Sequence, residues 1–174
     1  MKMIVVLNNI RSNENVGSIF RTADATHVSK IFLVGYTPAP TDRFGRENKG
    51  LTKASLGAEK FVEWEKVETL KEVIERLNNS PLTPLLQQER GIEHFKFKIL
   101  GIEQSKEAIN YKDLKTSKLL APSSHLALVF GNEVEGLSKE DLALCDIVAE
   151  LPMLGGKESL NVAVSVGVVL YSLV

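Results

Sequence analysis

Short apolar runs alternate along this chain with stretches whose apolar residues recur every three or four positions. That alternation constrains it to an α/β architecture. Met3 to Leu7, Lys30 to Val34, Phe97 to Ile102 and His125 to Phe130 read as strands, the last buried on both faces. Phe61 to Trp64 and Ile147 to Leu151 read as further strands. Val16, Ile19, Phe20 and Ala23 fall at i, i+3, i+4 and i+7, one face of a helix that starts at Asn15. Val67, Leu70, Val73, Ile74 and Leu77 mark a second helix, stopped by Asn78-Asn79-Ser80-Pro81. Ser138, with an acid three residues on at Asp141, reads as a capped helix start. Strands separated by helices predict a mainly parallel sheet flanked by helices, forming a single domain over residues 1–174.

Three stretches resist that pattern. After Gly35, Pro38 and Pro40, the chain to about Gly50 reads as a long, basic, mobile loop. Residues 79–95 carry Pro81, Pro84 and Gly91 and show no regular period. Leu160 to Val174 has eleven apolar residues in fifteen and no charge. It is valine-rich like a central strand, but long for one. As a helix, apolar nearly all round, it must be buried, and pairing of subunits is one way to bury it. At about 22 Å that helix is too short for a ~30 Å hydrocarbon core.

Composition removes several classes of function. The chain is 44% apolar and 25% charged, enough to bury a core and too apolar for intrinsic disorder. Cys145 has no partner for an internal disulfide and, in an apolar stretch, reads as core rather than nucleophile. His27, His94 and His125 form no zinc pattern, so no metal is expected. No leader is visible, and the chain reads as cytoplasmic, away from the membrane. Gly155-Gly156-Lys157-Glu158 is not a phosphate-binding P-loop, because Leu151 and Glu158 occupy the positions that need glycine and a hydroxyl. Neither a Gly-x-Gly-x-x-Gly nor a Gly-x-Ser-x-Gly motif is present.

The net charge of -1 is unevenly distributed: residues 1–60 hold nine Lys or Arg against five Asp or Glu. Arg43, Arg46, Lys49 and Lys53 lie beside Gly45 and Gly50, which suits a phosphate-contacting loop as well as an ordinary solvated one. Three further segments place polar residues just past an apolar strand, where open α/β sheets bind ligands. In the first, Asn8 to Ala25, Gly17 and Arg21 sit one turn apart, a bare backbone patch beside a guanidinium. The second, Phe130 to Ser138, has Gly131 and Gly136 for close backbone approach and the acids Glu133 and Glu135. In the third, Leu151 to Val162, Ser159 is placed to cap the final helix and Asn161 needs a partner. Each alone also reads as a plain turn or a capped helix.

Together and in this order, the segments resemble the SpoU (TrmH-like) branch of the SPOUT RNA methyltransferases, over nearly the whole chain from Asn8 to Tyr171. The resemblance implies a C-terminal deep trefoil knot, S-adenosylmethionine as cofactor, a homodimer, and methylation of a ribose 2'-hydroxyl of tRNA or rRNA. It carries catalytic roles to Asn15, Arg21, Glu133, Ser159 and Asn161. Cofactor contacts are implied for Gly101, Ile102, Phe130, Gly131, Asn132, Glu133 and Gly136, and for Leu151, Pro152, Met153, Ser159, Leu160 and Asn161. RNA contacts are expected from Arg11, Arg21, Arg43, Arg46, Lys49 and Lys53. No separate RNA-binding domain is evident, and low net charge favours tRNA over rRNA.

The resemblance makes Arg21 the proton-removing group. A charged guanidinium cannot accept a proton, so Arg21 is expected to bind a phosphate and stabilise the developing alkoxide. Asn15, Ser159 and Asn161 would orient Arg21 and the ribose, while Glu133 anchors either the arginine or its own loop. Two other classes stay open at this point: an RNA-binding or cofactor-sensing module without turnover, and a base methyltransferase of the same knotted class.

Overall fold

The computed structural model describes residues 2–78, 97–115 and 125–174. Its sheet contains β1 (Met3–Asn8), β2 (Lys30–Val34), β3 (Glu63–Val67), β4 (Phe97–Ile102), β5 (Ile109–Asn110), β6 (His125–Phe130) and β7 (Ile147–Glu150). These run in the spatial order β3-β2-β1-β6-β4-β7-β5, and every adjacent pair is parallel. The described helices are α1 (Asn13–Ala25), α2 (Lys49–Ser55), α3 (Leu70–Asn78), α4 (Lys139–Ala143) and α5 (Val162–Leu173). None is long and apolar enough to cross a membrane.

β1 is buried along its whole length because helices cover both faces of the sheet. Met3, Val5 and Leu7 pack with α1 and α5, while Ile4 and Val6 pack with α3 on the other side. The expected face of α1 is the buried one: Val16, Ile19, Phe20 and Ala23. The three large side chains among them contribute about 1.5–3 kcal/mol each in area removed from water. α1 begins two residues ahead of expectation because the Ser12 hydroxyl accepts from Asn15 N at 3.1 Å and caps it.

Several expectations need correction. The loop expected to about Gly50 ends at Asn48, and α2, which the sequence pattern did not announce, follows it, capped by the Asn48 side chain accepting from Leu51 N at 3.3 Å. α2 lies so close to α1 that a Cβ on Gly17 would stand 2.4 Å from Leu51 O. Gly17 is therefore a helix-crossing residue and leaves no bare patch for a phosphate. The third strand lies at Glu63–Val67 rather than Phe61–Trp64; Phe61 is exposed, and Val67 closes the strand instead of opening the helix. β3 is an edge strand rich in charge, held to β2 by Lys30, whose Nζ lies 2.8 Å from both Glu63 and Glu65. The last apolar segment is a helix, and Asn161 rather than Ser159 caps it. The irregular stretch expected at 79–95, with His94, lies outside the described residues.

β1 has β2 on one side and β6 on the other, and the chain leaves β1 through α1 toward β2. The boundary between β1 and β6 is thus where strand order reverses. The carboxyl ends of β1, β4, β6 and β7 converge there, the usual place for a ligand in an open α/β sheet.

Candidate active site

Beyond β1 the chain turns through Asn9, at φ 60°, into Arg11 and Ser12. Beyond β6 it forms a tight loop around Gly131 to Gly136, closed by a bridge between Asn132 and Gly136. A Cβ on Gly131 would stand 2.4 Å from Gly136 C, and one on Gly136, at φ +68°, would stand 2.2 Å from the Glu103 carboxylate. Both glycines are thus required by the loop's own folding. Asn132 is 8% exposed and uses every side-chain position. Its Nδ2 donates to Asn9 O and to Tyr36 Oη, and its Oδ1 accepts from Val134 N and Glu135 N.

Glu133 anchors the loop after β1. Its carboxylate accepts from Arg11 N at 3.0 Å, Ser12 N at 3.2 Å and Asn15 Nδ2 at 3.0 Å. Burial pushes this carboxyl upward, but the bonds from Arg11 N, Asn15 and Ser12 N outweigh it, and the pKa falls below the ordinary 4.5. A carboxylate at the start of α1 also meets the positive end of the helix dipole.

Asn15 passes the network on. Its Oδ1 accepts from Asn161 Nδ2 at 2.9 Å, while Asn161 Oδ1 accepts from Ala163 N at 2.9 Å and Val164 N at 3.4 Å. The orientations are mutually determined: capping commits the Asn161 oxygen, so its amide donates, so Asn15 accepts there and donates to Glu133. One chain of side chains therefore ties together the segments after β1, β6 and β7.

Beside this network lies a cleft of about 210 Å³. Of the expected cofactor contacts, Ile102, Phe130, Gly131, Asn132, Glu133 and Gly136 line it, as do Leu151, Met153, Ser159 and Leu160. Gly101, Pro152 and Asn161 are not on its wall. Gly101 lies instead against Cys145, whose sulfur would be 3.0 Å from an added Cβ. Sequence reasoning missed Glu103, Gln104 and Ser165, which also line the cleft; Val134, Glu135 and Val162, inside the second and third segments but not among the expected cofactor contacts, line it too. Glu103 and Gln104 follow β4 directly, so the signal of polar residues after a strand was available for them. Glu103 accepts from Leu137 N and Gln104 N, and Gln104 Nε2 donates to Glu158 O at 2.7 Å, joining two walls.

Arg21 stands on the exposed face of α1, does not line the cleft, and makes no hydrogen bond or ion pair with the described residues. Asn15, expected to orient it, is engaged with Glu133 and Asn161 instead. Arg11 is exposed, Arg43 and Arg46 occupy the loop before α2, and Lys49 and Lys53 lie one turn apart on α2. Among the described residues, no group of three or more His, Cys, Asp or Glu is placed to hold a metal.

The model of the SpoU rRNA methylase family matches residues 2–171. A tRNA (guanosine(18)-2'-O)-methyltransferase of Aquifex aeolicus is 32% identical over 170 residues, 97% of this chain and 67% of that protein. A 23S rRNA (guanosine-2'-O-)-methyltransferase of Neisseria meningitidis is 32% identical over 168 residues, 97% of this chain and 56% of that one. The fold matches that of the SpoU methyltransferase AviRb from Streptomyces viridochromogenes, solved with the cofactor AdoMet, with a TM-score of 0.76 at 22% identity. That match covers 98% of this chain and 56% of AviRb. The chain thus spans little more than half the length of several proteins it matches.

Proposed function

Because the chain belongs to the SpoU rRNA methylase family, we propose that it transfers a methyl group from S-adenosylmethionine to a ribose 2'-hydroxyl of tRNA or rRNA. The observation that carries this reading is the Glu133–Asn15–Asn161 chain, which joins all three signature segments beside one cleft. tRNA is the favoured substrate, as for the Aquifex relative.

The cleft suits the cofactor chemically. Ile102, Leu151, Leu160 and Val162 offer apolar wall for an adenine, and Glu103, Glu133 and Glu135 offer carboxylates to ribose hydroxyls and positive charge. When bound, the cofactor supplies a methyl group already activated on a positively charged sulfur. The chain's own task is then mainly positioning. Ser159 lines the cleft with no hydrogen bond to the described residues, and with Asn15 and Asn161 it would hold the ribose. Glu133 keeps the start of α1 in register. Arg21, with no partner among the described residues, would take a substrate phosphate and stabilise the alkoxide. Arg11, Arg43, Arg46, Lys49 and Lys53 would extend the RNA contact.

The proposal includes a C-terminal trefoil knot, a homodimer and a cytoplasmic site of action. Val164 and Tyr171, 50% and 61% exposed on α5, lie seven residues apart on one helix face, which supports pairing of subunits there. Titration calorimetry with S-adenosylmethionine and S-adenosylhomocysteine tests the cofactor. Mass spectrometry of nucleosides from treated tRNA and rRNA tests the reaction: the methyl stays with the sugar fragment. No binding of either ligand, or a methyl on the base, overturns the reading.

A further inference from the structure

The loop between β2 and α2 displays an aromatic ring in a way its own folding does not require. Phe44 is 68% exposed at the tip. The guanidinium carbons of Arg43 and Arg46 lie 4.8 and 5.2 Å from its ring centroid. The tip is pre-formed. Asp42 accepts from Phe44 N at 2.8 Å and from Arg46 N and Nε at 3.0 and 2.7 Å, Gly45 turns at φ +78°, and Thr41 bridges Glu47. The backbone bond from Arg46 is foremost in lowering the Asp42 carboxyl below its ordinary 3.8.

Both feet of this loop stand at the candidate active site. Tyr36 Oη accepts from Asn132 at 2.7 Å, on the loop after β6. Asn48 Nδ2 donates to Asn13 Oδ1 at 2.7 Å, in the first turn of α1. Lys66 Nζ braces the near foot by donating to Gly35 O and Thr37 O. A strand whose ribose enters the cleft would therefore lie beside the feet of this loop.

We propose that Phe44 is a stacking platform for an unpaired RNA base, with Arg43 leaving its ring for a flanking phosphate and Arg46, still held to Asp42 through Nε, turning its terminal nitrogens to another, so that the substrate is single-stranded beside the methylated nucleotide. An exposed cation–π contact is worth about 2- to 5-fold in an equilibrium constant, so the two on Phe44 together are worth about 4- to 25-fold. Stacking of a base on an aromatic side chain is worth about 5- to 150-fold. The guanidiniums meanwhile exchange a ring face for phosphate, their best-matched partner. The exchange therefore favours bound RNA. Among the loop's acids, Asp42 is committed to the turn, and Glu47 stands two residues before Lys49 at the start of α2. A protein partner would need a wider apolar surface than this lone ring.

This inference rests on the methyltransferase reading for its choice of RNA. It is tested by fluorescence anisotropy with a labelled 12-nucleotide single-stranded RNA and with its duplex, alongside S-adenosylmethionine calorimetry on the same proteins. Phe44→Ala is expected to weaken single-strand binding about 5- to 150-fold with the salt dependence unchanged and duplex binding little affected. Arg46→Gln is expected to lower the salt slope by about 0.7. Phe44→Trp should keep the affinity, and its fluorescence should be quenched by the single strand beyond any change from Trp64 in the parent. Single-strand binding within twofold of the parent in Phe44→Ala, or equal loss for strand and duplex, overturns the platform. Absence of cofactor binding alongside Phe44-dependent RNA binding overturns the methyltransferase reading and leaves the platform standing.

Discussion

Asn161 donates its side-chain amide to Asn15 at 2.9 Å, joining residues 146 positions apart in the chain. The same Asn161 caps α5 through its oxygen. One residue thus starts the last helix and completes the network that begins at Glu133, and the two roles can be separated by substitution.

Asn161→Ala is expected to cost about 0.5–2 kcal/mol for the lost cap, a fall of about 2–4 °C in Tm per kcal/mol for a chain of this size. It should also weaken S-adenosylmethionine binding. Asn161→Asp keeps an oxygen for the cap but cannot donate to Asn15. Thermal melts and calorimetry should therefore show near-parental Tm for Asp with reduced cofactor affinity. Parental affinity in both variants would contradict a positioning role.

Glu133 gives the site an acid limit. Its folded pKa is lowered, so its stabilisation is fully present above the unfolded value of about 4.5 and is lost as pH falls from there through the folded value. Urea melts of the parent and of Glu133→Gln should differ at pH 7 and converge on acidification through that range. A gap that does not narrow on acidification would mean that the charge is not what stabilises the loop.

Arg21→Lys should leave Tm and cofactor affinity unchanged, since Arg21 bonds to none of the described residues. Methyl transfer should fall at least about tenfold, because an ammonium cannot supply the planar fork. Near-parental turnover at neutral pH would remove the proposed role.

Gly17→Ala sets two effects against each other. Alanine favours the helix by about 1 kcal/mol, but its Cβ would stand 2.4 Å from Leu51 O and 2.9 Å from Ser55 N, backbone atoms that cannot swing away. Overpacking of this kind costs about 1–3 kcal/mol. The expected outcome is a lower Tm, and a raised one would show that α1 and α2 can part freely.

The Cys145 thiol is pushed up to about 12 by burial, with the charges of Asp141 and Asp146 adding to it. The thiolate is the reactive form. Alkylation by iodoacetamide at pH 8 should therefore run more than about tenfold slower in the folded protein than in urea, read by intact mass.

Legibility in the sequence followed burial. β1, β2, β4, β6 and the face of α1 were plain because a parallel sheet covered on both sides demands unbroken apolar runs and its helices a clean stripe. β3 blurred because an edge strand carries charge to avoid mispairing, and Glu63, Glu65 and Lys66 erase its pattern. α2 escaped because it buries only Leu51 and Ser55, too few residues for a period. The three polar segments of the site were visible from their position after strands. What joins them was not: that Glu133 meets Arg11 N and Ser12 N, or that Asn15 faces Asn161 rather than Arg21, is set by distant backbone, which local pattern does not encode.

The seventh strand is complete at Glu150, while the residue that closes the network belongs to the start of α5. In the order of synthesis, the seven described strands leave the ribosome before Asn161 does. A product terminated between the two carries every described strand but neither the Asn161 amide nor the helix that covers Leu7 and Phe20. Such a fragment exposes apolar surface where the finished enzyme has a capped helix. A chain that stops before Asn161 therefore lacks the contact that joins the three segments, and the site is complete only once the start of α5 has been made.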